Sequence, residues 1–412
     1  MPTDKSILVI GTYDTKSDEL DYLAGKIREA GADVVTMDVS VLGDPPTPTT
    51  ISKHDVAEAA DSSIDAAKAS GDENSAMQIM AKGASTLARR WFDDGKIDAL
   101  IAMGGTMGTD LALDCARALP MGVPKYIIST VAFSPLIPAD RLSADIQMIL
   151  WAGGLYGLNS FCKSSLSQAA GAVVGAAKCV EPPAANRPVI GMTSLGSSCL
   201  SYMKLLKPAL ETRGFEVAIF HATGMGGMAY ENIAAEGGFA CVMDFALPEL
   251  VNLMFGSAVH AGKDRMLNAG RANIPQIVAP GCADLIDFAG WQEIPTRFSD
   301  RPFHAHNRLI KSSGLNVEER RETAREIAKR LAPSKAPACV ILPNQGIEEW
   351  DKEGEPAHDP EGLAAFCEEM RSAIQPPTRL VEIDAHINDT AFADAALKIL
   401  DDWVADGVVA CS

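Results

Sequence analysis

Short apolar runs alternate with amphipathic stretches over most of the chain. Residues 5–10 form the first run, and the residues after it repeat apolar side chains at helical spacing up to Gly31, beyond which residues 34–37 form a second run. Further apolar runs at residues 99–103 and 124–129 are again separated by an amphipathic stretch. Nearly continuous apolar runs are typical of parallel strands that are covered on both faces. The pattern therefore predicts an α/β fold built from βαβ units with mainly parallel sheets.

A proline-rich segment at residues 181–188 interrupts this pattern near the middle of the chain, and the strand and helix pattern restarts directly after it. The full length of 412 residues is also more than one ordinary hydrophobic core contains. We therefore predict two Rossmann-like domains, residues 1–183 and residues 184–412. The first is expected to be the nucleotide-binding domain.

Two loops of the first half follow predicted strands and combine glycine with hydroxyl side chains. One runs from Gly11 to Lys16 and the other from Gly104 to Thr109. A tight βα turn also needs glycine, but backbone amides at a helix start can hold an anion, and ligands of open α/β sheets bind at this edge. We therefore predict a phosphate site here. Its expected residues are Gly11, Thr12, Asp14, Thr15, Lys16, Gly104, Gly105, Thr106, Gly108, Thr109, Ser129 and Thr130.

Asp38 ends the second predicted strand, where dinucleotide-binding folds hold a ribose hydroxyl. We take a ribose contact as the hypothesis for this carboxylate. The chain lacks both the Gly-x-Gly-x-x-Gly fingerprint and the Gly-x-x-x-x-Gly-Lys-Ser/Thr motif. An ordinary NAD site and ordinary P-loop hydrolysis are therefore not expected.

His221 ends a predicted strand of the second half, at the position that Asp38 holds in the first half. The loop after it either binds an anion or only turns the chain into the next helix. Its candidate ligand-binding residues are Thr223, Gly224, Gly226 and Gly227.

A histidine at a strand tip beside loop amides also suits proton transfer next to an oxyanion. The alternative function is therefore an enzyme that acts on a small organic acid or sugar acid between the domains. In it His221 is the acid or base, and Asp244 or Asp284 is the partner carboxylate. His221 can equally cap its own loop, and a third alternative is a noncatalytic regulator in which a nucleotide orders an interface.

The composition of the chain limits the classes of binding partner that we expect. A net charge of −18 without clusters of Lys and Arg argues against nucleic acid, and no apolar run reaches the length of a membrane span. The chain starts without a signal-peptide pattern, so we expect a cytoplasmic protein. The nine cysteines form no Cys-x-x-Cys pair, and the spacing of His304 and His306 alone does not establish a metal site.

Several motifs together resemble the Tm-one-like ATP-binding domain family. They are Gly11-Thr12 with Asp14-Thr15-Lys16, Gly104-Gly105 with Gly108-Thr109, Val123-Pro124-Lys125 with Ser129-Thr130, His221-Ala222-Thr223-Gly224 with Gly226-Gly227, His306-Asn307, and Ile387-Asn388-Asp389 with Phe392-Ala393. The resemblance covers nearly the whole chain. It implies two Rossmann-like domains, a homodimer and an ATP-type ligand, with or without Mg²⁺, but no settled reaction.

The chain departs from the family pattern in three places. Family members usually carry an acid at the position of Gly154, a pair of threonines near Ser198 and Cys199, and an arginine in the segment around Lys311. The missing arginine is suited to a charged ligand, so the ligand or the activity can differ in this chain.

Overall fold

The chain folds into two compact units, Met1–Pro183 and Ala184–Ser412. This computed structural model describes residues 5–183, 186–196, 198–199 and 201–411. Each unit is an α/β fold with a mainly parallel sheet, as predicted. The division falls in the predicted linker, of which residues 184 and 185 lie outside the described part.

The first unit carries a five-stranded parallel sheet in the order β2-β1-β3-β4-β5. Its elements are β1 (Ser6–Gly11), α1 (Ser17–Glu29), β2 (Asp33–Asp38), α2 (Lys53–Ala59), α3 (Ile64–Lys68), α4 (Glu73–Asp93), β3 (Ala99–Gly104), α5 (Thr106–Ala118), β4 (Lys125–Ser129), β5 (Gln147–Leu150) and α6 (Ser160–Cys179). The sequence pattern predicted one helical region with a break over 56–94. Three helices occupy it because Ser52, Ser63 and Asp72 each cap a new one.

Apolar side chains cover both faces of this sheet. One cluster joins the sheet to α2, α4 and α5, and a second cluster joins it to α1 and α6. The strand order reverses between β1 and β3, since β2 lies on one side of β1 and the later strands follow β3 on the other. Ligands of doubly wound folds bind at the carboxyl ends of the strands at such a reversal.

The second unit carries a six-stranded parallel sheet in the order β14-β13-β9-β8-β6-β7 and a small antiparallel sheet in the order β10-β12-β11. Its elements are β6 (Val189–Ser194), α7 (Ser201–Thr212), β7 (Glu216–His221), α8 (Met225–Ala235), β8 (Cys241–Asp244), α9 (Pro248–Met254), α10 (Asn268–Arg271), β9 (Gln276–Val278), β10 (Leu285–Ala289), β11 (His304–Ala305), β12 (Ile310–Gly314), α11 (Val317–Leu331), β13 (Ala338–Pro343), α12 (Pro360–Ala373), β14 (Arg379–Ile383) and α13 (Thr390–Ala405).

The two units share the pairing of their first two strands. In the first unit the last pair in register is Gly11 with Asp38, and in the second it is Ser194 with His221. His221 therefore holds the position of Asp38, as the sequence suggested. Within the described residues, every helix is too short or too polar to cross a membrane.

Candidate functional site

A cavity of about 720 Å³ lies at the carboxyl ends of β1 and β3 in the first unit. Both predicted loops of this unit contribute to its wall. The predicted residues that line it are Gly11, Thr12, Asp14, Thr15, Lys16, Gly104, Gly105, Thr106, Gly108 and Thr130. The strand order explains this convergence, because β1 and β3 are neighbours in the sheet although 87 residues, 12–98, lie between them in the chain.

Lys16 holds the first loop together. Its Nζ lies 3.2 Å from Thr12 Oγ1 and 3.3 Å from Thr15 Oγ1, and the two hydroxyl oxygens are 3.2 Å apart. The loop closes one turn before α1, because the Lys16 amide donates to the Thr12 carbonyl at 3.0 Å. One ammonium group and two hydroxyls therefore meet at one part of the cavity wall, and all three can contact an anion.

The second loop brings the start of α5 to the cavity. Gly105 is the N-cap of this 13-residue helix and gives it no side-chain cap. The first amides of a helix lack partners within the helix and carry partial positive charge. Position 104 has no room for a side chain, because a Cβ there would lie 2.6 Å from Gly108 Cα. The helix start therefore offers uncapped amides to a ligand in the cavity.

The remaining wall is apolar on one side and acidic at a few points. Asp14 contacts the loop that follows β2, because its Oδ2 accepts the Gly43 amide at 3.1 Å. The other lining acids are Asp72 and Glu73, and the lining lysines are Lys16 and Lys68. The apolar lining residues are Ile10, Val39, Val41, Leu42, Ala67, Ala76, Met77, Ala102, Met103, Met107, Leu111 and Leu155.

Three predicted contacts of this site serve the fold instead. Asp38 is only 1% exposed and does not line the cavity; its Oδ1 accepts the amides of Tyr13 at 3.1 Å and Ser40 at 2.9 Å. The structure directs Oδ1 at the loop backbone and leaves Asp38 outside the cavity lining, so the ribose contact gains no support and stays a prediction. Thr109 and Ser129 are also buried, and their hydroxyl oxygens are 2.7 Å apart.

The glycine loop of the second unit already holds an anion, which is the carboxylate of Glu249. The amides of Gly224 and Gly227 donate to Glu249 Oε1 at 2.5 and 3.0 Å. A Cβ at Gly227 would lie 1.8 Å from Glu249 Oε2, so the glycine is required by the carboxylate beside it. These two amides are therefore occupied in the structure, and the binding of a free ligand by this loop stays a prediction. Gly226 packs on the His221 carbonyl, and Thr223 donates its amide to the same oxygen at 2.8 Å.

Arg265 explains why Glu249 is held there. This arginine is fully buried, and its Nε donates to Glu249 Oε2 at 2.9 Å. Its two Nη atoms donate to the Asp244 carboxylate at 2.5 and 2.7 Å, and Glu231 lies 3.5 Å from Nη1. Asp244 also accepts the hydroxyl proton of Thr193 at 2.7 Å. Asp244 is therefore part of a buried ion network and is not available as a general base.

The proposed partnership of His221 with a carboxylate is absent from the described residues. β6 lies between β7 and β8, which separates His221 from Asp244 by two strand spacings, roughly 10 Å. The exposed His221 ring accepts the Gly196 amide at 3.4 Å through Nδ1. Asp284 is fully buried and pairs with Arg320 at 3.5 Å. Burial raises the pKa of Asp284, and its charged neighbour Arg320 opposes that shift.

The sequence pattern did not identify Glu249, Arg265 or Arg320 as partners of the candidate residues. For Glu249 and Arg265, however, the charge pattern of the sequence contains a signal. Between residues 237 and 262 the only charged residues are Asp244 and Glu249, in an otherwise apolar and small-residue stretch. Isolated acids in such a stretch are buried, and buried carboxylates need a cation or several amides. Arg265 follows directly and supplies that cation.

The comparisons with known proteins identify relatives over the whole chain. The N-terminal and C-terminal domain models of the uncharacterised protein family UPF0261 match residues 5–182 and 187–404. A UPF0261 protein of Brucella melitensis is 57% identical over 403 residues, which cover 98% of this chain and 96% of that protein. A UPF0261 protein of Clostridium tetani is 32% identical, over 96% of this chain and 98% of that protein.

A more distant relative carries the name on which the predicted resemblance rests. The ToMV resistance protein Tm-1(GCR237) of Solanum lycopersicum is 28% identical over 94% of this chain and 54% of that protein. Among solved structures, Acinetobacter baumannii MurG is 11% identical over 98% of this chain and 92% of its own, with a TM-score of 0.22. A TM-score that low carries no argument about fold or function.

Proposed function

We propose that this chain, which belongs to the UPF0261 family, binds ATP or a similar adenine nucleotide in the cavity of its first unit. The observation that supports this proposal most is the meeting of Lys16, two threonine hydroxyls and the uncapped start of α5 at one cavity. Its volume of about 720 Å³ lies within the usual range for small-molecule sites. No reaction is proposed.

The chemistry of the wall suggests how the nucleotide lies. The phosphates would lie against the amides of residues 104–108 and the ammonium group of Lys16, which together supply positive potential and N–H donors. The adenine ring would lie against the apolar part of the wall, to which Met77 and Leu111 contribute. Asp38 is left out of this arrangement because its carboxylate is engaged with the loop backbone.

The charge of the wall implies that Mg²⁺ accompanies the nucleotide. Two lysines and three acids line the cavity, so their formal charges add to −1. Free ATP is strongly anionic and would be repelled by the carboxylates, whereas a bound divalent ion would reduce that charge. Asp14, on the same loop as Lys16, is the lining carboxylate that we expect to contact the ion, directly or through water.

Titration calorimetry of the full chain with ATP tests this proposal, with and without Mg²⁺. We expect binding that requires Mg²⁺, and we expect Lys16→Met to weaken it by about 10- to 100-fold, the loss of one charge-assisted hydrogen bond. The matched control is Lys26→Met, since Lys26 lies on α1 away from the cavity lining and pairs with Glu29. Its affinity should stay within twofold of that of the original chain.

A second variant tests the position of the site by filling it. Gly105 has an ordinary φ of −75°, and the nearest atom to a Cβ there is Thr130 Oγ1 at 3.8 Å. Gly105→Leu should therefore fold and exclude the nucleotide. Absence of heat with ATP and Mg²⁺ at millimolar concentration, or unchanged affinity in both the Lys16 and Gly105 variants, contradicts the proposal.

The cytoplasmic location and the homodimer belong to the same proposal. An ATP ligand fits the cytoplasm, and light scattering with and without nucleotide measures the oligomeric state. The enzyme alternative receives less support, because Asp244 is sequestered by Arg265 and lies two strands from His221.

A further inference from the structure

Residues 39–50, which we call the β2 loop, contribute one wall of the cavity in the first unit. The loop leaves the tip of β2 and returns beside it, because Ile51 forms a parallel bridge with the end of β2 and its carbonyl accepts the Asp38 amide at 3.0 Å. Between these fixed ends, residues 39–42 line the cavity. Leu42 is 80% exposed, so packing in the core does not hold this part of the loop in place.

Asp14 holds the middle of the β2 loop. Its Oδ2 accepts the Gly43 amide at 3.1 Å. The two backbones approach each other closely here, since a Cβ at position 43 would lie 2.9 Å from the Asp14 Cβ. The β2 loop is therefore joined to the loop that carries Thr15 and Lys16.

Lys53 holds the same point of the β2 loop through the Gly43 carbonyl. It is the first residue of α2 and is only 4% exposed. Its Nζ donates to the Gly43 carbonyl at 2.7 Å and lies 2.6 Å from Asp44 Oδ1. Hydrogen bonds from a charged donor are among the stronger ones in proteins. Lys53 and Asp14 together therefore bind both polar backbone groups of Gly43.

We propose that Lys53 is a positioning residue of the nucleotide site, which holds the β2 loop in place as a wall of the cavity. This proposal rests on the proposed function of the first unit. Lys53 is not among the described residues that line the cavity, so it acts on a ligand through Gly43 and residues 39–42. The Gly43 amide also orients the Asp14 carboxylate, which we expect to contact Mg²⁺.

A purely structural role for Lys53 predicts a different result from Lys53→Met. Neither partner of the ammonium group would be left buried, because the Asp44 side chain is 86% exposed and Gly43 is half-buried. Methionine is close to lysine in length and suits a buried position. The melting temperature of Lys53→Met should therefore stay within about 4 °C of that of the original chain. A larger decrease, or a variant that does not fold, indicates a structural role and overturns the proposal.

Hydrogen exchange of the full chain without ligand tests whether Lys53 holds the β2 loop. In Lys53→Met the Gly43 amide should exchange about three- to tenfold faster, while the amides of β2 are unchanged. Lys82→Met is the matched control, because Lys82 on α4 also binds a carbonyl and an exposed aspartate, those of Ala60 and Asp61. This control should leave the exchange of Gly43 unchanged.

Titration calorimetry with ATP and Mg²⁺ tests the consequence for the site. Lys53→Met should weaken binding about three- to tenfold, whereas Lys53→Arg, which keeps a charged donor, and Lys82→Met should stay within about twofold of the original chain. The proposal is overturned if Gly43 exchanges equally fast in Lys53→Met and the original chain, or if the two bind ATP equally well. An original chain that binds no ATP contradicts the proposed function, whereas the exchange of Gly43 still decides whether Lys53 holds the loop.

Discussion

The carboxylate of Glu249 is the anion of the second unit's glycine loop, and its removal should destabilise that unit. In Glu249→Ala the buried amides of Gly224 and Gly227 lose their acceptor. Arg265 loses its Nε contact but keeps the Asp244 carboxylate on both Nη atoms. The perturbation therefore leaves two amides and the Arg265 Nε–H without their acceptor, and the ion pair between Arg265 and Glu249 is lost.

The magnitude follows from these contacts. A buried donor left without a partner costs about 1–3 kcal/mol, so the two amides together cost about 2–6 kcal/mol. Burial raises the pKa of Glu249, which shows that its charge is itself costly to bury and places the net loss in the lower half of that range. We expect about 3–4 kcal/mol, which lowers the melting temperature of a unit of this size by roughly 6–16 °C.

Scanning calorimetry of the full chain measures this loss, and acetate distinguishes its cause. The truncated side chain leaves space for a small carboxylate, so acetate should raise the melting temperature of Glu249→Ala by mass action and leave the original chain unchanged. Glu216→Ala is the control, because Glu216 is exposed on β7 and should change stability by less than about 0.5 kcal/mol. If Glu249→Ala has the same melting temperature as the original chain, the loop amides do not depend on this carboxylate and the prediction is wrong.

Two further predictions concern buried acids. Burial raises the pKa of Glu231 to about 7, so between its unfolded pKa near 4.5 and pH 7 the folded chain binds more protons and loses stability as pH rises. Urea unfolding at pH 5 and pH 8 measures this effect. From pH 5 to pH 8, the free energy of unfolding of Glu231→Gln should rise relative to that of the original chain by at most about 3 kcal/mol. Asp38→Ala should cost about 2–6 kcal/mol in the absence of nucleotide, about 1–3 kcal/mol for each of the Tyr13 and Ser40 amides that lose their acceptor. A ribose contact alone predicts weaker ATP binding with unchanged urea unfolding.

The sequence was sufficient to predict which loops of the first unit meet. Apolar runs located β1 and β3, and the rule that ligands bind at the carboxyl edge of parallel strands located the loops after them. Both loops line the same cavity in the structure. The sequence does not contain the strand order itself, but any order that pairs β1 with β3 brings Lys16 close to residues 104–108.

The direction of a side chain at a strand tip could not be predicted in the same way. Asp38 and His221 occupy equivalent register positions, yet Asp38 is buried against its own loop and His221 is exposed. The difference depends on residues outside the motif, since the amides of Tyr13 and Ser40 turn towards Asp38. A pattern of residue types locates the position, whereas competition among nearby donors decides whether a ligand can use it.

The same competition explains why the glycine loops of the two units are expected to differ in ligand binding. A helix start behind a glycine loop attracts an anion in either unit. In the first unit that helix start is uncapped and opens on the cavity beside Lys16, so the anion can come from a ligand. In the second unit Glu249 occupies the amides of Gly224 and Gly227 at the start of α8 and is fixed by Arg265. A free ligand would have to displace a buried ion pair there, so the loop of the first unit is the better place for a ligand anion.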